Sequence, residues 1–239
     1  MFQATSSTYF VTGNMTDFIF NTAFCRQLQD NAHHHGEMVF LESVLRPGMS
    51  VIDGGANRGV ISVVMARAVG RQGHVYAFEP VPEYFMSLQR NLSLNNVENV
   101  SLYNLALSDK TGPIQFYKRG EGSGVTFVKE GEEIQVNAIT LPEFLTVHNV
   151  SNIDFINLDC EGSELLVFKS AQTVLEKHLP AIFCEVHRDF LKTLNQSVED
   201  IVTFLRGIGY DVKPVHTEDL NIPSDFNQCS HIFAQKSLL

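Results

Sequence analysis

Apolar positions in this chain alternate between short β-like runs and helical repeats over much of its length. Residues Val51 to Asp53 form a β-branched run ending in an acid, and from Val60 to Val69 the apolar spacing becomes helical. A strand from His74 to Phe78, a helix from Pro82 to Asn95 and a strand from Val100 to Leu105 follow. This βαβαβ order predicts an α/β fold with a parallel sheet and helices on both faces.

The middle of the chain breaks this alternation. Short β-like runs between Ile114 and Ile139 are separated by glycine-rich and acidic segments, which predicts hairpins inserted at the edge of the sheet. The expected later elements are strand Ile153 to Leu158, helix Ser163 to Leu175, strand Ala181 to Val186, helix Ser197 to Arg206, and strands Tyr210 to Lys213 and Ser230 to Gln235.

The first 48 residues precede the first core strand and are rich in aromatic side chains. One helix is predicted to end near His33 to Gly36, and another runs from Met38 to Leu45 before an Arg-Pro-Gly stop. We therefore divide the chain into an N-terminal segment, 1–48, and a compact α/β domain, 49–239. The histidines of His33 to His35 are expected to line the N-terminal segment.

Composition narrows the class of partner. The chain has 239 residues and a formal charge of −10, and it lacks a Lys/Arg cluster, which argues against a nucleic-acid partner. No apolar run approaches the roughly 18 residues of a membrane span, and the start lacks the pattern of a secretion signal. We expect a cytoplasmic protein with a small-molecule partner, its four scattered cysteines reduced; a homo-oligomer is left open.

The turn after the first strand has the composition of a ligand-binding loop. Asp53 is followed by Gly54, Gly55 and Gly59, a spacing that differs from the G-x-G-x-x-G of dinucleotide-binding turns. An acid there suits a ligand with an ammonium group, and glycines let the backbone approach a carboxylate. S-adenosylmethionine carries both groups. The next strand ends at Glu79, where a carboxylate can accept both ribose hydroxyls.

Four segments carry a resemblance to a known family. They are V-I-D-G-G-A-N-R-G (Val51 to Gly59), A-F-E-P (Ala77 to Pro80), N-L-A-L-S-D (Asn104 to Asp109), and I-N-L-D-C-E-G-S-E-L (Ile156 to Leu165) with C-E-V-H (Cys184 to His187). From about Glu37 to about Val212 the chain resembles S-adenosylmethionine-dependent methyltransferases of the FkbM family. The D-x-E-G-x-E stretch with E-V-H is the part most particular to that family.

The resemblance implies a Rossmann-like class I methyltransferase sheet, antiparallel at one edge, with residues 1–48 as a lid over the cofactor cleft. It also implies acceptors such as sugar moieties and natural-product scaffolds. Backbone groups of Ala106 and Leu107 are expected to read the adenine edge, and Asp109 to accept from its amino group. The full set of expected cofactor-binding residues is Glu37, Asp53, Gly54, Gly55, Asn57, Gly59, Glu79, Pro80, Ala106, Leu107, Asp109 and Asp159.

Two later strand ends supply candidate catalytic residues. Asp159 and Glu161 lie two positions apart and point to the same side, as do Glu185 and His187. Like charges held close raise the pKa of one of them, so we expect Asp159 or His187 to remove the acceptor's hydroxyl proton during methyl transfer. Glu164, in the first turn of a helix, is expected to be structural because the helix dipole favours a negative charge there.

Other functions stay open. Asp159, Glu161, Glu185 and His187 suit Mg²⁺ or Mn²⁺ as well, but no single segment shows a ligand motif, so the sequence favours a metal-free site. A cofactor-binding module without catalysis is a second alternative, and the glycine spacing argues against a nicotinamide-dependent oxidoreductase. The sequence predicts an O-methyltransferase acting on a hydroxyl of a small molecule, with N-methylation not excluded.

Overall fold

The computed structural model describes residues 32–119, 122–124, 131–218 and 225–236. Its strands are β1 (Ser50–Gly54), β2 (His74–Phe78), β3 (Val100–Tyr103), β4 (Ala106–Leu107), β5 (Gly112–Arg119), β6 (Gly122–Gly124), β7 (Glu132–Ile139), β8 (Phe155–Leu158), β9 (Ala181–Glu185), β10 (Tyr210–Val215) and β11 (His231–Lys236). Its helices are α1 (Ala32–Val44), α2 (Val60–Val69), α3 (Pro82–Leu94), α4 (Leu141–Val147), α5 (Glu164–Ser170), α6 (Gln172–His178), α7 (Arg188–Thr193) and α8 (Val198–Gly207).

Within these described residues the main sheet has seven strands in the order β10-β11-β9-β8-β1-β2-β3. The pairs from β9 through β3 are parallel, whereas β11 runs antiparallel to both β9 and β10. The predicted Rossmann-like sheet, with antiparallel pairing at one edge, is confirmed. Strand β1 lies between β2 and β8, so the connections diverge at its carboxyl end, where open sheets of this type place their ligands.

Alternating side chains of the strands bury both faces of the sheet. On β1, Val51 packs with helices α1, α2 and α3, whereas its neighbour Ile52 packs with α4, α5, α6 and α8. The same alternation occurs on β8, where Phe155 and Ile156 belong to opposite layers. Helices therefore cover both faces, as predicted, and only the strand ends are left for polar chemistry.

Helix α1 corrects the predicted division at residue 48. It runs through Gly36 without the predicted break, and Phe40 stacks on Phe183 of β9 with ring centroids 4.3 Å apart. A Cβ at Gly36 would lie 1.6 Å from the carbonyl oxygen of Thr217, so this glycine permits close packing instead of ending a helix. Residues 32–48 thus belong to the domain. Residues 1–31, and the lid predicted for them, lie outside the described residues.

The middle segment also differs from the prediction. Strands β5 and β7 form the predicted hairpin, but they pair with β4 and β6 in a second sheet and do not extend the edge of the main one. One face of this sheet, with Ile114 and Phe116, packs on Val81 and Tyr84 at the start of α3. Burial of that apolar face against α3 is the physical reason for its separate position. The V-T-F-V run lies within residues 125–130, outside the description.

Several element boundaries depart from the expected ones. The helix predicted from Ser163 to Leu175 divides at Ala171 into α5 and α6, and β3 ends at Tyr103 instead of Leu105. Helix α4 was not predicted, although its Thr140 cap accepts from the backbone of Glu143, a pattern the sequence contains. Helix α8 begins with the predicted Ser197–Asp200 capping box. Of the helices described, none has both the length and the apolar character to cross a bilayer.

Candidate active site

The loop between β1 and α2 lies directly against the end of β8. Gly55 has a φ of 89°, and a Cβ on it would be 1.8 Å from the carbonyl oxygen of Asp159. The backbone N–H groups of Gly55 and Ala56 both donate to the carbonyl of Phe78, at 3.0 and 2.8 Å. Glycine at this position therefore lets the loop approach β8 closely while β2 holds it from the other side.

Asp53 is completely buried beneath this loop. Its carboxylate accepts from the hydroxyl of Ser62 at 2.5 Å and from the side-chain amide of Asn157 at 3.0 Å. Burial raises the pKa of Asp53 to about 6, although both hydrogen bonds act in the opposite direction. Asp53 lines neither of the two cavities described below. The carboxylate therefore joins β1 to helix α2 and strand β8 and places a titratable acid in the interior next to the loop.

Glu79, at the end of β2, is held by two backbone donors. Its oxygens accept from the N–H of Asn57 and the N–H of Val81, each at 2.8 Å. Burial raises the pKa of Glu79 to about 7, against the effect of these two hydrogen bonds. The side chain is thus locked in one orientation at the carboxyl end of the strand, where the sequence predicts it.

Two adjacent cavities open at this edge of the sheet and share Gly55, Glu79 and Asp159. The space between the atoms that line them, open solvent included, is about 350 Å³ in the first and about 260 Å³ in the second. The first is also lined by Phe78, Pro80, Ala106, Leu107, Phe116, Cys160 and Ser163, and the second by Asn57, Tyr84 and Glu161.

Most of the predicted cofactor residues reach this crevice, but some do not. Gly55, Asn57, Glu79, Pro80, Ala106, Leu107 and Asp159 line it. Gly54 is enclosed by Leu158 and Leu107, and Gly59 starts α2 against Leu88. Asp109 is exposed and accepts from the hydroxyl of Ser108, so the structure does not bring its side chain to the crevice.

The sequence reasoning missed Phe116 as a lining residue. Phe116 lies on β5 of the second sheet, far along the chain from the glycine loop, and reaches the crevice because that sheet packs on α3. The alternation I-Q-F-Y was a signal that Phe116 is buried, yet it contained no information about which surface it faces.

All four predicted catalytic residues meet around one imidazole. Nε2 of His187 lies 3.5 Å from Asp159 Oδ1, 3.5 Å from Glu161 Oε2 and 3.7 Å from Glu185 Oε1. Asp159 and Glu161 follow β8, and Glu185 and His187 lie 24 to 28 positions later at the end of β9. Because β8 and β9 are adjacent parallel strands, their carboxyl ends lie side by side. We call Asp159, Glu161, Glu185 and His187 the carboxylate–histidine cluster.

Glu164 has a closer relation to this cluster than the sequence indicated. It begins α5, as expected, but it is completely buried and its Oε1 lies 3.0 Å from Nδ1 of His187. The same oxygen accepts from the backbone N–H of Gly162 at 2.9 Å. With Nδ1 directed at Glu164, Nε2 faces the other three carboxylates.

Charge and burial shift the protonation of the cluster. Burial alone lowers the pKa of His187, but the hydrogen bond to Glu164 and the charges of Asp159, Glu164 and Glu185 outweigh it and raise the pKa well above its ordinary value. Burial, and then the charge of Glu185, raise the pKa of Asp159 well above its usual range. The side chain of Asp159 is 37% exposed overall, yet its Oδ1 is inaccessible and has no hydrogen-bond partner among the described residues.

Glu37 lies in a second group, behind the crevice. Its Oε1 is 3.0 Å from Nε2 of His231, which stacks on Phe183 with ring centroids 4.4 Å apart. The contact joins α1 to β11, and Glu37 lines neither cavity. In the structure Glu37 joins α1 to the sheet, and its role in cofactor binding stays a prediction.

Comparison with known proteins supplies the family. The profile described as a methyltransferase FkbM domain matches residues 53–212. A protein of Beauveria bassiana named Methyltransferase 1 is 28% identical over 142 residues, which cover 50% of this chain and 57% of that protein.

Solved structures share the fold. Methyltransferase FkbM from Methylobacillus flagellatus KT superposes with a TM-score of 0.58 at 16% identity, covering 87% of this chain and 51% of that one. A putative methyltransferase from Streptococcus mutans, solved in complex with SAH, has a TM-score of 0.50 at 13% identity, with 86% and 98% covered. This chain thus spans little more than half the length of the Beauveria and Methylobacillus proteins.

Proposed function

The chain belongs to the FkbM methyltransferase family, and from this premise we propose that it transfers a methyl group from S-adenosylmethionine to a hydroxyl oxygen of a small-molecule acceptor. Sugars and natural-product scaffolds are the acceptor classes that we propose. The observation that supports the proposal most directly is the crevice that Glu79 lines together with two members of the carboxylate–histidine cluster, Asp159 and Glu161.

The donor side of the crevice suits the cofactor. The carboxylate of Glu79, fixed by the two backbone donors of Asn57 and Val81, is placed to accept from both ribose hydroxyls. Phe78, Leu107 and Phe116 give the adjoining cavity the apolar walls that an adenine ring requires. Asp53 lies deeper, so we propose that it attracts the cofactor's ammonium group through the charge that it places under the loop.

The acceptor side requires positioning and a base. Methyl transfer from a sulfonium is an in-line displacement: the acceptor oxygen forms a bond to the methyl carbon while the carbon–sulfur bond breaks, and the hydroxyl proton passes to a base. The hydrogen bond to Glu164 and the nearby carboxylates favour the protonated form of His187 and raise its pKa well above its ordinary value, which makes it the less suitable base of the two. Asp159, which lines both cavities beside Glu79, is the base that we favour.

Replacement of Asp159 by Asn tests this assignment. We expect D159N to bind S-adenosylmethionine nearly as the wild type does, by calorimetry, because the side chain keeps its size. Turnover, measured as the cofactor consumed with a panel of hydroxylated acceptors, should fall by about 10²- to 10⁴-fold because the proton has no acceptor.

The matched control is D189N, which removes a carboxylate that is 91% exposed and paired with Lys192 at the surface. It should leave both binding and turnover unchanged. Unchanged turnover in D159N would refute the role of Asp159 as base. If the wild type binds S-adenosylmethionine tightly but does not consume it with any acceptor of the panel, the result would instead favour a cofactor-binding module without catalysis.

A further inference from the structure

The geometry of the carboxylate–histidine cluster is unusual for a set of hydrogen bonds. A charge-assisted hydrogen bond between nitrogen and oxygen measures about 2.7–2.9 Å. Here Nε2 of His187 has three carboxylate oxygens at 3.5, 3.5 and 3.7 Å, so none of them is closely bonded to it. Ligands bound about 2.1 Å from one cation lie about 3.0 Å apart at right angles and about 4.2 Å apart when opposite. The observed separations match neither value, so the side chains would have to move closer together by about 0.5 Å to bind an ion as adjacent ligands.

The orientation of His187 is the second observation. Its Nδ1 donates to the completely buried Glu164, which leaves Nε2 directed at Asp159 and Glu161. A histidine that binds a metal characteristically donates its other nitrogen to a carboxylate in this way, which fixes the ring and the tautomer. Oδ1 of Asp159, inaccessible to solvent and without a hydrogen-bond partner among the described residues, faces the same point.

We propose that Asp159, Glu161 and His187 bind one divalent cation of the Mg²⁺ or Mn²⁺ class, with Glu164 as the positioning residue behind His187. Their ligand atoms all lie within 4.8 Å of one another. The cation takes the place of the proton on Nε2. Carboxylate oxygens with one imidazole suit these ions, and three protein ligands leave coordination positions free. The sequence favoured a metal-free site because it could not show that the side chains of these residues approach one point.

The coordination positions of the ion that the protein leaves free indicate the class of acceptor. Asp159 and Glu161 line the same cavity as Glu79, so a cation between them faces the crevice beside the cofactor. This step rests on the proposed function: the acceptor presents two neighbouring oxygens, such as a vicinal diol, and both coordinate the ion. The ion would lower the pKa of a coordinated hydroxyl and help to hold it in line with the donor methyl. The proton would pass to the carboxylate oxygen of Asp159 that does not bind the ion, so the cation assists the base assigned above and does not replace it.

The other group of possible ligands in the described residues is a poorer candidate. Glu37, Glu185 and His231 also lie within 4.8 Å of one another. However, Nε2 of His231 already lies 3.0 Å from Glu37, within hydrogen-bonding distance, and the ring is stacked on Phe183 and almost completely buried. This group joins α1 to the sheet and does not open on the crevice.

Calorimetric titration of the full chain with Mn²⁺, without cofactor or acceptor, tests the site directly. We expect one saturable site per chain, abolished by D159N and by H187Q, and retained by D189N. E164Q should weaken Mn²⁺ binding by about 10- to 100-fold, because it removes the carboxylate that orients the imidazole. Thermal unfolding of each variant checks that it is folded.

A folded wild type without saturable Mn²⁺ binding, or a D159N variant that binds like the wild type, would overturn the metal site. Cofactor calorimetry on the same samples separates the two proposals. Cofactor binding and turnover that persist in excess chelator, together with no Mn²⁺ binding, refute the cation but leave the methyltransferase. Mn²⁺ binding without cofactor binding retains the cation and refutes the proposed function.

Discussion

At the residue scale, burial controls the charge of the carboxyl groups below and beside the crevice. Asp53 and Glu79 have pKa values of about 6 and about 7, above the 3.8 and 4.5 of accessible groups. The folded protein therefore holds protons that the unfolded chain releases at lower pH. The stability that these protonated groups contribute is lost as the pH rises from about 4 towards 7. The role in cofactor binding that we propose for these groups has the opposite requirement, because it needs their ionised forms.

Cofactor affinity should accordingly depend on pH through Glu79. Ribose hydroxyls donate to the ionised carboxylate, so the dissociation constant should increase by about tenfold between pH 8 and pH 6 if only the ionised form binds. In E79Q the affinity should be lower and this pH dependence largely lost, because no proton is taken up at residue 79. Calorimetric titrations with S-adenosylmethionine across this pH range measure both effects. An equally steep profile in E79Q would assign the titration to another group.

At the element scale, the β1–α2 loop and the second sheet define the crevice from opposite sides. The loop is formed by residues close together in the sequence, since its glycines directly follow strand β1. The second sheet is formed by residues farther apart in the sequence, since β4 pairs with β7. The segment between these two strands contributes Phe116 to the crevice. The loop could therefore be predicted from its sequence motif. The position of the second sheet could not, because it depends on which apolar surface of α3 is available for packing.

Replacing Gly55 by Ala should disable the loop. A Cβ at this position would lie 1.8 Å from the carbonyl oxygen of Asp159, and φ is 89°, which strains any residue with a side chain. We expect a loss of stability of about 1–3 kcal/mol from the backbone strain alone and a loss of cofactor affinity above about tenfold.

The matched control is Gly207→Ala at the end of α8, where nothing lies within 4 Å of an added Cβ. That variant should be neutral or slightly more stable, because alanine favours the helix. Thermal unfolding and cofactor calorimetry on both variants make the comparison. If G55A binds the cofactor as well as G207A does, the close approach of loop and strand is unimportant.

At the scale of the whole molecule, helix α1 is part of the core. Met38, Phe40 and Leu41 are fully buried, and Phe40 contacts Phe183 and Phe233, on two neighbouring strands of the sheet. Oε1 of Glu37 lies 3.0 Å from Nε2 of His231, and this contact holds the same helix against β11. The domain therefore begins before residue 48, and the crevice is built on a sheet that α1 helps to hold in place.

Truncation of Phe40 measures the contribution of α1. We expect F40A to lose about 3–5 kcal/mol of unfolding free energy, because it removes a buried ring and leaves a cavity against the sheet. Met86→Ala, on a helical residue that is 60% exposed, is the control and should change stability by less than about 0.5 kcal/mol. Chemical denaturation provides both values. A loss in F40A as small as that in M86A would mean that α1 is not part of the cooperative core.

The sequence by itself determined the succession along the chain of the main-sheet strands, the glycine loop, and the positions of Glu79, Asp159 and His187 at strand ends. These features follow from local periodicity and from the rule that parallel strands share a carboxyl edge. It did not determine the separate second sheet, the continuous α1 through Gly36, or the contact between Glu164 and His187. Those depend on close approach between residues distant along the chain, such as Gly36 with Thr217 and Phe116 with the crevice, which only tertiary packing decides.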